Sequence, residues 1–142
     1  MKNTILTTTV LMLSIFAVKV KAQNSLTIQI SNIETKKGTL EVALFNKKEG
    51  FLKSGSQYKK MRVKVTGNAQ NVTFENLPKG NYAVALYHDE NSDNKCNTNF
   101  IGIPTEGYGF SNNVKPKLSA PSFDATKIAI DQQKTIKINL IN

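Results

Sequence analysis

The sequence predicts an all-β domain, a seven-stranded antiparallel β-sandwich with one long ordered loop. Two observations predict the strands. Apolar and polar residues alternate with period two along most of the chain after residue 22, and the alternating runs are short and bounded by turn residues. Such alternation gives each strand one buried and one wet face, and about seven of them need two facing sheets to cover their apolar sides. A third observation predicts the loop. From Asp89 to Ser122 the alternation stops, over a length that compact domains seldom leave without a task.

The elements follow in order. Leu26, Ile28 and Ile30 alternate with Thr27, Gln29 and Ser31, and Lys36-Lys37-Gly38 supplies the next turn. Leu40, Val42 and Leu44 form the second strand. Glu49 to Lys59 breaks the pattern and reads as a short helix or an irregular crossover. Met61, Val63 and Val65 make the third strand, and Val72 and Phe74 follow the Gly67-Asn68 turn. Leu77-Pro78-Lys79-Gly80 leads into Tyr82, Val84 and Leu86. Ile128 and Ile130 precede the Asp131-Gln132-Gln133 turn, after which Ile136, Ile138 and Leu140 complete the pattern. Phe100, Ile101, Ile103, Tyr108, Phe110, Leu118 and Phe123 give the long loop apolar anchors, so it should fold over one end of the sandwich.

Residues 1–22 read as a secretory signal. Lys2 opens a positive start, Ile5 to Val18 is an uncharged apolar stretch, and Val20-Lys21-Ala22 suits cleavage after Ala22. The stretch falls short of the ~20 apolar residues of a membrane span. The alternative is an uncleaved anchor, since Lys19 and Lys21 stand beside the cut. Cleavage leaves residues 23–142 as one domain with no further apolar run, hence no membrane span. The chain carries a net charge of +9, and loss of Lys2, Lys19 and Lys21 leaves +6. The remaining basic residues are dispersed, with Arg62 the sole arginine, and they lack the aromatic-interleaved clustering of a nucleic-acid interface. They read as a solvated surface with a weak attraction to anionic lipid or polysaccharide. Cys96 is the only cysteine, which excludes an internal disulfide, and His88 is the only histidine, which argues against zinc. His88 ends a strand pattern and reads as structural.

The segment from His88 to Asn99 carries the chemistry. Seven of the eleven residues from Asp89 to Asn99 are Asp, Glu or Asn. Asp89, Asn91, Asp93 and Asn97, the Lys95 carbonyl and Glu106 from the following segment are candidate calcium ligands, because alternating short oxygen-bearing side chains converge as calcium loops do. The segment is not an EF-hand, since the twelfth position from Asp89 is Phe100 instead of a bidentate Glu. Two or three carboxylates suit the weak extracellular class of sites, ~10⁻⁴–10⁻³ M. The competing reading is a set of Asx turns in which the same side chains cap backbone N–H groups.

These residues resemble a family. Leu40-Glu41-Val42-Ala43-Leu44-Phe45, the run from Val72 to Val84, His88-Asp89-Glu90-Asn91, Gly102-Ile103-Pro104-Thr105-Glu106-Gly107-Tyr108-Gly109-Phe110-Ser111-Asn112 and Pro121-Ser122-Phe123 together resemble the small secreted DUF2141 proteins of Gram-negative bacteria. Members usually read Asp-x-Asn-x-Asn-Gly-x-Leu-Asp at the acidic loop. Here Asp93 gains a charge, Asn97 loses one, Asn94 replaces the turn glycine and Cys96 replaces an aliphatic residue, which implies a buried, inert thiol. The unit from Leu77 to Leu86 is also similar to prealbumin-like modules such as carboxypeptidase regulatory and Cna-B-type domains. The resemblance implies a prealbumin-like or immunoglobulin-like sandwich and an export destination: periplasm, outer-membrane surface or exterior. The family has no established activity.

Three functions are then open. The first is a non-catalytic binding or structural module with a calcium-stabilised loop. The second is a carbohydrate- or peptide-binding module using Tyr108, Phe110, Ser111 and Asn112, whose partner is a protein or cell-surface polysaccharide; here Gly107 and Gly109 would admit the ligand. The alternative for the two rings is that they plug the sandwich. The third is a small hydrolase drawing on Asp89, Glu90, Asp93, Glu106 or Asp124, which would need two carboxylates across a cleft. The sequence assigns no catalytic residue.

Overall fold

The computed structural model describes residues 24–142, so the expected signal segment lies outside the described residues. Within them, alternation becomes eight strands: β1 (Asn24–Ser31), β2 (Thr39–Phe45), β3 (Lys59–Lys64), β4 (Gln70–Leu77), β5 (Gly80–Asp89), β6 (Tyr108–Phe110), β7 (Ile128–Ile130) and β8 (Lys134–Asn139). One helical turn, α1 (Phe123–Thr126), is capped by Ser122, whose hydroxyl accepts from the Ala125 N–H at 3.2 Å. Among the described residues no helix is long and apolar enough to cross a membrane.

The strands form two sheets. One has the order β4-β1-β8, the other β3-β2-β5-β6, with β7 pairing β5 separately. Their apolar faces share one core. Leu26, Ile28 and Ile30 of β1, Phe74 of β4 and Ile138 of β8 meet Leu40, Val42 and Leu44 of β2 and Val84 of β5, all essentially without exposure. Each such side chain is worth about 1.5–3 kcal/mol when buried. A second cluster lies on the outer side of the second sheet. Phe51 makes edge-on contacts with Phe45 and Phe123, at ring separations of 5.2 and 5.7 Å, and Ala83 lies fully buried beneath them.

Two expectations need correction, and one open alternative is resolved. There are eight strands, not seven, because the stretch read as strand-free contains β6, which pairs with Ala85–Tyr87 of β5. Tyr108 and Phe110 are separated by a glycine and flanked by turn residues, so they read as loop anchors instead of a strand. The pairing is also not antiparallel throughout: β1 runs parallel to β8, with Ile28 opposite Ile136. Two strands far apart in sequence leave no hairpin turn to reveal their relative direction. The segment from Glu49 to Lys59 is an irregular crossover of turns, held by Phe51 in the outer cluster.

Candidate functional site

β5 carries the site because it changes surroundings at its end. Its inward phase runs Tyr82, Val84, Leu86 and His88, and its outward phase runs Ala83, Ala85, Tyr87 and Asp89. His88 is fully buried on the core side. Its Nε2 lies 2.7 Å from the Lys37 carbonyl, which can only accept, so Nε2 carries the proton. Nδ1 has no hydrogen-bond partner and faces the Glu90 carboxylate at 3.9 Å. The Lys37-Gly38 turn reaches this depth because position 38 lacks a side chain. Gly38 has φ +72°, and a Cβ there would stand 2.1 Å from the Asp89 carbonyl oxygen and 2.7 Å from Glu90 Cα. No L-residue fits that crossing.

Asp89 faces outward yet has 0% exposure, because the loop after it folds back across it. Its Oδ1 accepts from the Asp93 N–H at 3.1 Å, and its Oδ2 accepts from the Asn94 N–H at 3.0 Å and from the Arg62 guanidinium. Arg62 reaches across β2 from β3, donates through Nε to Thr39 Oγ1 at 3.0 Å, and also faces Glu41 at 3.7 Å. The cation beside Asp89 is therefore supplied by a strand two positions away in the sheet. Tyr87 stands opposite Glu41 in this surface. Burial, then the carboxylates of Glu41 and Asp89, push its phenol up to about 12.

The rest of the acidic loop is a chain of Asx turns. Asn91 Oδ1 accepts from the Asp93 N–H at 2.9 Å, and Asp93 Oδ1 accepts from the Lys95 N–H at 2.9 Å. Asp93 Oδ2 accepts from the Asn97 amide at 3.0 Å, and that bond, followed by the Lys95 N–H, lowers the Asp93 carboxyl below its ordinary value. Glu106 arrives from the returning segment, as the sequence suggested. Its two oxygens accept from the Glu90 and Asn97 N–H groups at 3.1 and 3.3 Å. All six residues proposed as calcium ligands thus lie in one bonded loop, with Lys95 contributing its N–H to it. Among the described residues no group of three or more His, Cys, Asp or Glu side chains converges as a metal cluster. Asn97 Oδ1 is buried without a partner.

Cys96 corrects another expectation. It is exposed, because the loop turns its Cys96 position outward while Asp89 takes the buried place. Partial enclosure of the sulfur, and then the nearby Glu106 carboxylate, push the thiol up, which disfavours the reactive thiolate.

The segment after Glu106 divides in two. Tyr108 and Phe110 are half-buried on β6, with ring centroids 6.1 Å apart in an edge-on arrangement. The glycine between them serves an internal approach: a Cβ on Gly109 would lie 2.6 Å from Ile138 Cγ2 of β8, so the molecule's own strand fills the space expected for a ligand. Ser111, expected among ligand contacts, is fully buried; its hydroxyl accepts from the Val84 N–H at 2.9 Å and donates to the Thr126 carbonyl at 2.5 Å. Asn112 adopts φ +62° and donates to the Ala125 and Lys127 carbonyls at 3.1 and 3.2 Å. These two residues sew the loop to α1 and β7. Phe110 borders a cleft of about 400 Å³ together with Asn32, Glu34, Lys115 and Asn142. Asp124, named for a hydrolase, lies at the surface between Lys127 and Lys48 at 2.9 and 3.1 Å, whose hydrogen bonds lower its carboxyl.

Sequence reasoning missed Arg62, Glu41 and Tyr87. The available signal was positional: the sole arginine falls on the outward phase of its strand, as Glu41 does on the next.

A family model described as an uncharacterised protein conserved in bacteria, DUF2141, matches residues 28–138, and the chain belongs to that family. No curated protein and no solved structure matches it.

Proposed function

We propose that this member of the DUF2141 family is a secreted, non-catalytic binding or accessory module on a prealbumin-like sandwich, acting in the periplasm, at the outer-membrane surface or outside the cell. The supporting observation is the engagement of the loop carboxylates. Asp89, Asp93 and Glu106 are each held by backbone N–H groups, with Arg62 or the Asn97 amide added for the first two. Proton transfer to a substrate needs a carboxyl group free to reach it. These groups instead fix the shape of a surface.

The surface suited to a ligand is the cleft beside Phe110. An aromatic face, the Asn32 and Asn142 amides, and the Lys115 and Glu34 charges suit a cell-surface polysaccharide or a peptide. Titration of the ¹⁵N-labelled protein with oligosaccharide and peptide panels tests this. Shifts centred on Phe110 and Asn142 that vanish in Phe110→Ala are expected, and silence across both panels would sink the reading.

Asn97 Oδ1 favours a second role for the loop, as a weak calcium-stabilised element. It is a buried acceptor without a donor, in a residue whose amide already bonds Asp93. Thermal unfolding in EDTA and then in millimolar calcium decides this. A tenfold excess over the dissociation constant stabilises the fold by about 1.4 kcal/mol, a shift of several degrees. The shift should disappear in Asp93→Ala; no shift in the unaltered protein leaves the loop as turn chemistry alone.

A further inference from the structure

The tip of the loop presents an apolar surface that the binding reading does not use. Phe100 is 99% exposed, Ile101 64% and Ile103 47%. Isolated exposed apolar residues are ordinary, but three within four positions at one tip are a patch. The tip is also tied together by backbone hydrogen bonds. Thr98 and Pro104 form a bridge, the Asn99 N–H donates to the Ile103 carbonyl at 2.8 Å, and the Thr105 N–H donates to the Asn97 carbonyl at 2.9 Å. Glu106 braces the stem below.

We propose that this tip is a wedge for an anionic lipid surface. The first argument is how its backbone is satisfied. The Gly102 N–H donates to the Asn99 carbonyl at 3.0 Å, and the Ile101 and Ile103 N–H groups both donate to Asn99 Oδ1 at 3.1 and 3.0 Å. With the Asn99 N–H, four donors are paired inside the turn. A segment entering the boundary of a bilayer gains from this, because fewer groups then leave water unpaired. The Phe100 N–H and the Phe100, Ile101 and Gly102 carbonyls, without partners among the described residues, stay free to meet headgroups and water at the interface. A protein pocket, which can offer acceptors of its own, makes less use of such pairing.

Size is the second argument. The three side chains offer on the order of 400 Å², about half the ~800 Å² that each side of a stable protein interface buries. An interfacial wedge needs only to reach ~5–10 Å into the headgroup boundary. Charge is the third. Without Lys2, Lys19 and Lys21 the chain has 16 basic residues against 10 acidic ones. Of the acids nearest the tip, Asp89 is paired with Arg62, whereas Asp93 and Glu106 are held by neutral N–H donors and form no ion pair among the described residues. The attraction therefore comes from lysines elsewhere on the surface. The excess of lysine draws the molecule to a negative surface, and the tip then anchors it.

The chain contains no tryptophan, so Phe100→Trp places a single, selectively excited tryptophan at the tip. The exported protein carrying it is mixed with vesicles of phosphatidylethanolamine and phosphatidylglycerol. The expected result is a blue-shifted emission quenched by brominated acyl chains. In flotation, Phe100→Ser/Ile101→Ser should lower partitioning of the otherwise unaltered protein by roughly tenfold or more. Circular dichroism confirms that the variants are folded. Unchanged emission with lipid overturns the proposal, as does equal flotation of the double variant, which would assign binding to the lysines alone. A self-association seen by sedimentation equilibrium and removed by Phe100→Ser, without any vesicle effect, would assign the tip to a second copy of the chain.

Discussion

Replacing Arg62 by Met separates the two roles its side chain could play. In the native molecule Asp89 has no exposure and three donors, of which only Arg62 carries charge. Methionine keeps the stem that lies across β2 but removes the guanidinium. Taking one partner from a buried ion pair costs about 3–5 kcal/mol. Arg62 itself is 33% exposed, so water already screens part of the interaction, and the two N–H groups remain. A cost of roughly 2–3 kcal/mol is therefore expected. For a domain of this size it corresponds to a fall in Tm of about 8–15 °C. Urea unfolding of Arg62→Met, Asp89→Asn and the double variant measures it. The double variant should be more stable than the sum of the single losses requires, with a coupling of at least about 1 kcal/mol. A loss below about 0.5 kcal/mol for Arg62→Met would place the pair among ordinary surface bridges and refute the view that Arg62 neutralises the loop.

Other expectations follow from neighbouring contacts. Gly38→Ala combines a left-handed backbone with a Cβ 2.1 Å from the Asp89 carbonyl oxygen, and should cost more than about 3 kcal/mol in urea unfolding. Ser111→Ala leaves the buried Val84 N–H without its acceptor and should cost about 1–3 kcal/mol, with faster hydrogen exchange at that amide. In a spectrophotometric titration of the four tyrosines, Tyr87 should ionise near pH 12, and Tyr87→Phe should delete that step. Its folded value lies above the unfolded one near 10, so its contribution to stability is complete below pH 10 and is lost as pH rises toward 12.

Much of the sheet structure was legible because period two is enforced by burial. Leu26, Ile28 and Ile30 have no alternative that keeps all three from water. The acidic loop was legible as a loop, and Glu106, expected there as a metal ligand, joins it through hydrogen bonds to backbone N–H groups. Its charge balance was not. Arg62 sits 27 residues before Asp89, and their meeting depends on β3 and β5 flanking the same strand, a register that no local pattern carries. The same limit hid the use of Gly109. Glycine between aromatics signals a close approach, but the identity of the approaching group, Ile138, is a tertiary fact. Cys96 was misplaced because burial was inferred from the residue type usual there, whereas the local turns decide which side chain points inward.

The parallel pairing of β1 with β8 has a bearing on how the molecule acquires its shape. Leu26 finds Lys134 across 108 positions, and among the described residues β1 has β4 as its only other neighbour. Contacts of that separation impose a large closure entropy before they return any energy, so they form late. Until Lys134–Asn139 arrives, the row of hydrogen-bonding groups on that side of β1 stays open, and Ile28 and Ile30 lack their cover. A chain threaded through a membrane from its N-terminal end would thus cross entirely before its first sheet could close. Such a sequence holds the completion of its first sheet back until nearly the whole chain is available, and it leaves an unpaired strand edge exposed to other chains in the interval.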